Sequence, residues 1–170
     1  MKTVVKMLPP TNHEPSFDPI RPLYLEMLAL VERLHRGLLD VLKDEFERRS
    51  RSDINPVQAL LLYSIGEKEF AACELRTRGY YLGSNVSYNL KKLVEMGFLD
   101  YQRSRLDRRS VRVKLTDKGR EVRDIVDTLY QKHARTVGPV GGINSDEFTL
   151  LNTSLRRLDR FWTDQVAYRL

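Results

Sequence analysis

The chain has 170 residues, a formal net charge of +6 and one cysteine, Cys73. This length allows one substantial core with flanking helices. A lone cysteine excludes an intramolecular disulfide and favours a reducing cytoplasm, and no stretch approaches the roughly 20 apolar residues of a membrane span. The excess basic charge is local, because the stretch from Arg76 to Arg120 holds 12 Lys and Arg against 4 Asp and Glu. Such a cluster favours an acidic partner.

The first third of the chain predicts two helices behind a polar, proline-rich arm of residues 1–18. From Pro22 a long helix carries one apolar stripe at spacings of three and four, as an amphipathic helix requires. Asp53 or Asn55 is placed to cap a second, short helix that has Pro56 in its first turn and ends at Gly66. The inner face of this short helix is expected to consist of Val57, Leu60, Leu61 and Ile65.

The next region has the pattern of a helix-turn-helix. A third helix is predicted from Glu69 to Arg78, followed by a turn over residues 79–83. A fourth helix begins at Ser84 or Asn85, and Gly97 stops it. Its apolar side chains recur at helical spacing and are Val86, Leu90, Leu93 and Val94. The side chains left on the outer face and its shoulders are Asn85, Ser87, Tyr88, Lys91, Lys92 and Glu95. Small hydrogen-bonding groups followed by lysines form the layout of a recognition helix.

A basic hairpin follows, with strands predicted over residues 98–103 and 110–115. Val111, Val113 and Leu115 alternate with polar residues, as a half-buried strand requires. Thr116 is expected to cap the following helix. A helix-turn-helix followed by a hairpin predicts a winged helix, and the guanidinium groups of Arg108 and Arg109 on a short protruding loop suit a narrow groove lined by phosphates.

The C-terminal region predicts two further helices separated by a glycine-rich break. Val122, Ile125, Val126, Leu129 and His133 stripe the first helix. Gly138, Pro139, Gly141 and Gly142 are expected to break the chain. The terminal helix carries a seam of Phe148, Leu151, Leu155, Leu158 and Trp162, which needs a partner to cover it.

The predicted fold class is mainly α with a small β-hairpin, a winged helix-turn-helix with long N- and C-terminal dimerisation helices. The predicted organisation is an N-terminal arm (1–18), a dimerisation helix (19–52), the winged helix-turn-helix domain (53–116) and the C-terminal dimerisation helices (117–170). In the DNA-binding domain, Asn85 and Ser87 are placed to read bases, since an asparagine amide can pair with adenine in the major groove. The candidates for phosphate contacts are Arg76, Arg78, Lys91 and Lys92. For each lysine alone, a merely solvated face is about as plausible.

The segment Val86-Ser87-Tyr88-Asn89-Leu90-Lys91-Lys92-Leu93, and Asp107-Arg108-Arg109 followed by Leu115-Thr116-Asp117-Lys118-Gly119, closely resemble the MarR family of transcriptional regulators. The resemblance covers roughly residues 20–168, and residues 80–93 also resemble the LdtR-type branch, whose members are linked to cell-wall remodelling and stress control. It implies a homodimer on a palindromic site and a small, often aromatic or anionic effector bound between the dimerisation and DNA-binding parts. The leading hypothesis is a ligand-responsive transcription factor that acts as a repressor.

The same resemblance assigns roles to single residues. It implies that Arg109 enters the minor groove, that Asp107 holds it, that Arg105 and Arg108 lie nearby, and that the helix from Ser84 enters the major groove. Tyr88 stands where many relatives carry arginine, so their base preference does not transfer, and its hydroxyl could equally meet a phosphate.

Two other classes of function compete with DNA binding. A winged-helix adaptor could use the basic hairpin against an acidic protein, and salt-sensitive, sequence-selective DNA binding would separate the two. An enzyme is not expected, since residues 138–142 match no phosphate-binding loop and no nucleophile, base and orienting group cluster. Neither a cofactor nor a metal is expected, because no His or Cys pair has ligand spacing, and Cys73 among apolar neighbours is interpreted as a buried small side chain.

Overall fold

The computed structural model describes residues 19–66, 70–71, 84–103 and 111–168, with the backbone alone at 70–71, 84–86, 103 and 111. Its elements are α1 (Ile20–Arg48), α2 (Pro56–Ile65), β1 (Phe70–Ala71), α3 (Ser84–Glu95), β2 (Leu99–Arg103), β3 (Val111–Leu115), α4 (Asp117–Gly141) and α5 (Ser145–Tyr168). The strands form one antiparallel sheet in the order β1-β3-β2. The predicted fold class is confirmed.

The chain divides into two compact units, Met1–Val41 and Leu42–Leu170. In the described part of the first unit, α1 is helical from Ile20, slightly earlier than predicted. Its apolar stripe is open to solvent in the single chain, with Leu23 65% and Leu34 70% exposed. The predicted N-terminal arm and Cys73 lie outside the described residues.

The core lies in the second unit, where α2 packs against α4 and β3, and α3 against β2. The buried apolar residues are Leu42, Phe46, Ile54, Ala59, Leu61, Leu62, Ile65, Leu93, Phe98, Leu99, Val113, Leu115, Val122, Val126 and Leu129. They come from every described element of this unit except α5 and the two residues of β1, whose side chains are not described. This shared core fixes α3 relative to the sheet and α4.

The start of α2 follows the predicted chemistry, and its inner face differs from the prediction. Asn55 is the N-cap: its side chain accepts from the Gln58 N–H at 2.9 Å, while Gln58 bonds back to the Asn55 N–H at 3.2 Å. Leu61 and Ile65 are buried as expected, but Val57 and Leu60 are only half-buried, whereas Ala59 and Leu62 are fully buried. The helix is apolar nearly all round, so its periodicity could not select one face.

The predicted helix from Glu69 is wrong at its first described residues. Phe70 and Ala71 form β1 and pair antiparallel with Val113 and Arg112 of β3. Pairing with a strand about 40 residues away overrides local helix propensity here. The remainder of that predicted helix, with Arg76 and Arg78, lies outside the described residues.

The predicted chain break at Gly138 and Pro139 is also wrong. Helix α4 continues through both residues to Gly141, and the chain turns only at Gly142, which has a left-handed φ of 70° and bonds its N–H to the Gly138 carbonyl at 2.9 Å. A proline this close to a helix end removes one backbone donor without ending the helix. In α5 no residue is buried in the single chain, and Leu151 and Leu155 are 47% and 40% exposed.

Candidate nucleic-acid interface

Helix α3 has one polar face that is exposed and one apolar face that packs into the core. Leu93 is fully buried, while Leu90 and Val94 are half-buried. On the opposite side Ser87 is exposed and Tyr88 is 61% exposed. The predicted two-faced helix is therefore present, with a hydroxyl and a phenol directed to solvent. Ser84 and Asn85 lie in the first turn of this helix, where their backbone alone is described.

The two lysines of α3 share one carboxylate. Lys92 Nζ lies 2.9 Å from Glu95 Oε2, and Lys91 Nζ lies 3.8 Å from Glu95 Oε1. The hydrogen bond from Lys92 holds the pKa of the Glu95 carboxyl below its ordinary value, and the same bond raises the pKa of Lys92. Both lysines are exposed enough to reach a phosphate, which would compete with Glu95 for them. The sequence placed Glu95 beside the outer face without assigning it a function.

The C-terminal end of α3 is tied to the start of α4 by the Leu-Thr-Asp-Lys-Gly segment. Gly97 ends the helix with a φ of +76°. Thr116 is the N-cap of α4, accepting from the Gly119 N–H at 3.1 Å, and its hydroxyl donates to the Gly97 carbonyl at 2.8 Å. The Thr116 N–H bonds in turn to the Phe98 carbonyl at 3.1 Å. These hydrogen bonds form a joint between α3 and α4, and they fix the C-terminal end of the recognition helix.

Gly119 and Lys118 complete the same joint. A Cβ at Gly119 would collide with the Phe98 carbonyl oxygen, so only glycine allows this close approach. Lys118 Nζ donates to the Met96 carbonyl at 3.2 Å and lies 4.1 Å from the centre of the Phe98 ring. The Thr116 cap predicted from the sequence is confirmed, whereas Lys118 and Gly119 stand out in the sequence only as part of a family motif, and the structure shows their architectural roles.

A linker ion-pair network, made of Arg51, Asp53, Lys118 and Glu121, connects the α1–α2 linker to the same joint. Arg51 lies 3.0 Å from Asp53 and 3.4 Å from Glu121, and Lys118 lies 3.4 Å from Asp53. Burial raises the pKa of Asp53, but the bonds and charges of Arg51 and Lys118 outweigh it and hold the value below normal. No local sequence signal joins residues this far apart.

The hairpin has the predicted two-sided pattern. Val113 and Leu115 are buried, whereas Arg112 and Lys114 are exposed. Across the ladder, Asp100 faces Lys114 and Gln102 faces Arg112. Arg112 and Lys114 thus add basic charge to the outer face of the sheet. The predicted wing residues Arg105, Asp107, Arg108 and Arg109 lie outside the described residues, so their roles stay predictions.

Within the part of the chain that the structure describes, no group of three or more His, Cys, Asp or Glu side chains could hold a metal ion. In that same part, none of the helices has the length and apolarity required to cross a bilayer.

Comparison with known proteins shows which proteins share this architecture. Residues 54–119 match the family model described as a winged helix DNA-binding domain. Over 145 residues the chain is 40% identical to the exopolysaccharide II synthesis transcriptional activator ExpG of Rhizobium meliloti (strain 1021), a match that covers 85% of this chain and 74% of that protein. These matches define a winged-helix DNA-binding transcriptional regulator. The chain belongs to the MarR family.

Solved structures agree on the fold. Streptococcus pneumoniae FabT in complex with DNA has a TM-score of 0.63 and 20% identity, covering 83% of this chain and 98% of that one. Staphylococcus aureus MarR in complex with salicylate and kanamycin has a TM-score of 0.68 and 21% identity, covering 86% and 96%. The family predicted from the sequence is confirmed, and the LdtR-type branch stays a prediction.

Proposed function

We propose that this regulator binds a palindromic operator as a homodimer, represses transcription from it, and is modulated by a small aromatic or anionic effector. The observation that carries the proposal is the exposed face of α3. Ser87, Tyr88 and Lys91 lie on this face, while the opposite face of the helix is held in the core. Asn85 lies in its first turn, where recognition helices contact base edges. Lys91 and Lys92 supply positive charge for phosphates, which positions the helix without reading sequence.

The dimer is supported by apolar surface on two helices. Leu23 and Leu34 of α1 are exposed in the single chain, as are Leu151, Leu155 and Phe161 of α5. Long helices with apolar residues in this state are stabilised when another chain covers them. The assignment of residues 19–52 and 117–170 to dimerisation rests on these exposed apolar side chains, and the cytoplasm stays the predicted location.

The sign of regulation has opposing support. Repression is the leading hypothesis from the sequence, whereas the Rhizobium meliloti relative is a transcriptional activator. A reporter fused to the bound promoter, measured with and without the gene for this protein, decides between them. Higher reporter output in the absence of the protein is expected, and lower output would establish activation.

An effector site is supported by a cavity of about 540 Å³ at the α1–α2 linker, called here the linker cavity. It combines an apolar floor with basic and hydroxyl groups and is lined by Lys43, Phe46, Glu47, Ser50, Arg51, Ser52, Ile54, Asn55 and Pro56. This volume is typical of small-molecule sites. An anion that binds the Arg51 guanidinium would compete with Asp53 for it. Because Asp53 also pairs with Lys118, which donates to the Met96 carbonyl beside α3, this competition would weaken the connection between the linker and the recognition helix.

Salicylate is a suitable probe for this site, since Staphylococcus aureus MarR has been solved with it. We expect salicylate to raise the Kd of the protein–DNA complex, and the variants Arg51→Gln and Lys43→Gln to respond less. Lys43 is exposed, so its variant should fold even if the loss of Arg51 disturbs the linker. If both variants respond like wild type, the effector does not act through the linker cavity.

The DNA-binding part is tested by fluorescence anisotropy with the protein's own promoter fragment and a scrambled duplex at two salt concentrations. Tighter binding to the promoter, weakened by salt, is expected. The alternative, an adaptor for an acidic protein, gains no support from the comparisons. Equal, weak binding of both duplexes that salt abolishes would favour that alternative or a distant operator.

A further inference from the structure

The recognition helix carries an acidic side chain, Glu95, next to its two lysines. Glu95 stands within 3.8 Å of both Lys91 and Lys92, on the same helix and about two turns beyond Ser87 and Tyr88. Lys91 and Glu95 also border an open groove of about 530 Å³, together with Ser87 and Tyr101. The carboxylate is therefore at the surface that the lysines would offer to a phosphate.

We propose that Glu95 is an internal competitor for the lysines of the recognition helix and limits their attraction to DNA phosphates. This inference rests on the proposed function, since it concerns the affinity of the same face for DNA. A phosphate that binds either lysine competes with Glu95 for it, and the nearby carboxylate repels the DNA backbone.

The ion pairs of Glu95 with Lys91 and Lys92 lie at the surface, so a phosphate can replace Glu95 as the partner of either lysine. Their side chains are 77%, 43% and 46% exposed for Lys91, Lys92 and Glu95, so water screens them and both lysines stay accessible. A glutamate side chain is ionised at neutral pH, and the hydrogen bond from Lys92 lowers the pKa of Glu95 further. The helix thus presents less than the full charge of its two lysines.

Glu95 should therefore reduce the affinity for DNA whatever the DNA sequence. Phosphate contacts carry no base information, so Glu95 should reduce binding to operator and unrelated DNA alike. Since genomes offer a large excess of unrelated sites, such a restraint keeps the protein exchanging between DNA segments at physiological salt.

The test compares Glu95→Gln with wild type on promoter and scrambled duplexes over a series of salt concentrations. Loss of the competitor should tighten both complexes by about 3- to 10-fold at low salt, the order expected when two exposed pairs no longer compete. The slope of log Kd against log salt should steepen by about 0.9 for each additional phosphate that the lysines neutralise. A variant that binds both duplexes as wild type does, or more weakly, would overturn the proposal.

Two controls separate a local effect from a change in net charge. Asp44→Asn removes an exposed carboxylate that pairs with Arg48 at 2.6 Å on α1 and should leave DNA affinity unchanged. In the background Lys91→Gln, Lys92→Gln, the Glu95→Gln change should lose most of its effect, because the lysines it acts through are absent. An undiminished effect there would refute competition for these lysines.

The proposed function and the role of Glu95 can fail separately. If wild type binds neither duplex, the proposed function fails and the role of Glu95 with it. If wild type binds and Glu95→Gln tightens binding no more than Asp44→Asn does, only the role of Glu95 is overturned.

Discussion

The hydroxyl of Thr116 donates a hydrogen bond to the Gly97 carbonyl, 2.8 Å away, and so ties the start of α4 to the turn that ends the recognition helix. The same oxygen accepts the Gly119 N–H and caps α4. One side chain therefore serves two elements, which explains why a threonine at this place matters to the position of α3.

Replacing this hydroxyl should destabilise the fold. We expect Thr116→Ala to lower the free energy of unfolding by about 1–2 kcal/mol, the usual effect of losing an N-cap. Thr116→Ser keeps the hydroxyl and should lose much less. Urea denaturation at one fixed protein concentration measures both, and equal losses for the two variants would show that the hydroxyl is unimportant.

Gly119 should tolerate no side chain. We expect Gly119→Ala to cost about 1–3 kcal/mol, because a Cβ forces the start of α4 away from the Phe98 carbonyl. Thermal denaturation showing no difference between Gly119→Ala and wild type would contradict the close packing at Gly119.

The Asp53 ion pairs should make a pH-dependent contribution to stability. Because the pKa of Asp53 is lowered in the folded chain, its contribution is present above the unfolded value of about 3.9 and is lost as pH falls through the lower folded value. Asp53→Asn should cost about 0.5 kcal/mol at pH 7, a value reduced for the 40% exposure of the side chain.

Urea denaturation of wild type and Asp53→Asn at pH 7, 5 and 3 measures this difference. It should be nearly constant between pH 7 and pH 5 and shrink towards pH 3. A difference that grows in acid would show that Asp53 is not stabilised as a carboxylate.

The apolar seam of α5 should be required for the dimer. Leu155→Glu places a charge where we expect a partner chain, so it should shift the protein towards monomer. Thr149→Glu adds the same charge to the other side of the same helix, where Thr149 is exposed. Sedimentation analysis should find a dimer for wild type and Thr149→Glu. A dimer for Leu155→Glu as well would exclude this seam from the interface.

The wing prediction is tested by Arg109→Ala. Loss of a guanidinium from a groove lined by phosphates should weaken DNA binding at least about 10-fold and flatten its salt dependence. Arg160→Ala, which removes an exposed arginine from α5, serves as the control. Unchanged affinity of Arg109→Ala would remove this residue from the interface.

Much of the fold could be predicted because its signals are local. Asn55 before Pro56, Gly97 after α3 and Thr116 before α4 are end signals that act within a few residues. The alternation that buries Val113 and Leu115 is equally local. The family motif added the order of these elements.

One error arose where a distant contact decides, and the other at a helix end. Residues 70–71 become a strand because β3 pairs with them, whereas α4 passes Pro139 because a proline this close to a helix end removes one backbone donor without ending the helix. In the site, the outer face of α3 was predictable from helical spacing. The bond from Lys118 to the Met96 carbonyl spans 22 residues and the one from Arg51 to Glu121 spans 70, so no spacing rule could show them.

The central claim, operator recognition by a dimer, is tested most directly by selecting bound fragments from sheared genomic DNA with the purified wild-type protein and footprinting the enriched ones. We expect one enriched inverted repeat, with half-site centres about 10 bp apart and protection on both half-sites, since two recognition helices of a dimer reach the major groove one turn apart. Enrichment of no common sequence, or of a single unrepeated half-site, would contradict it.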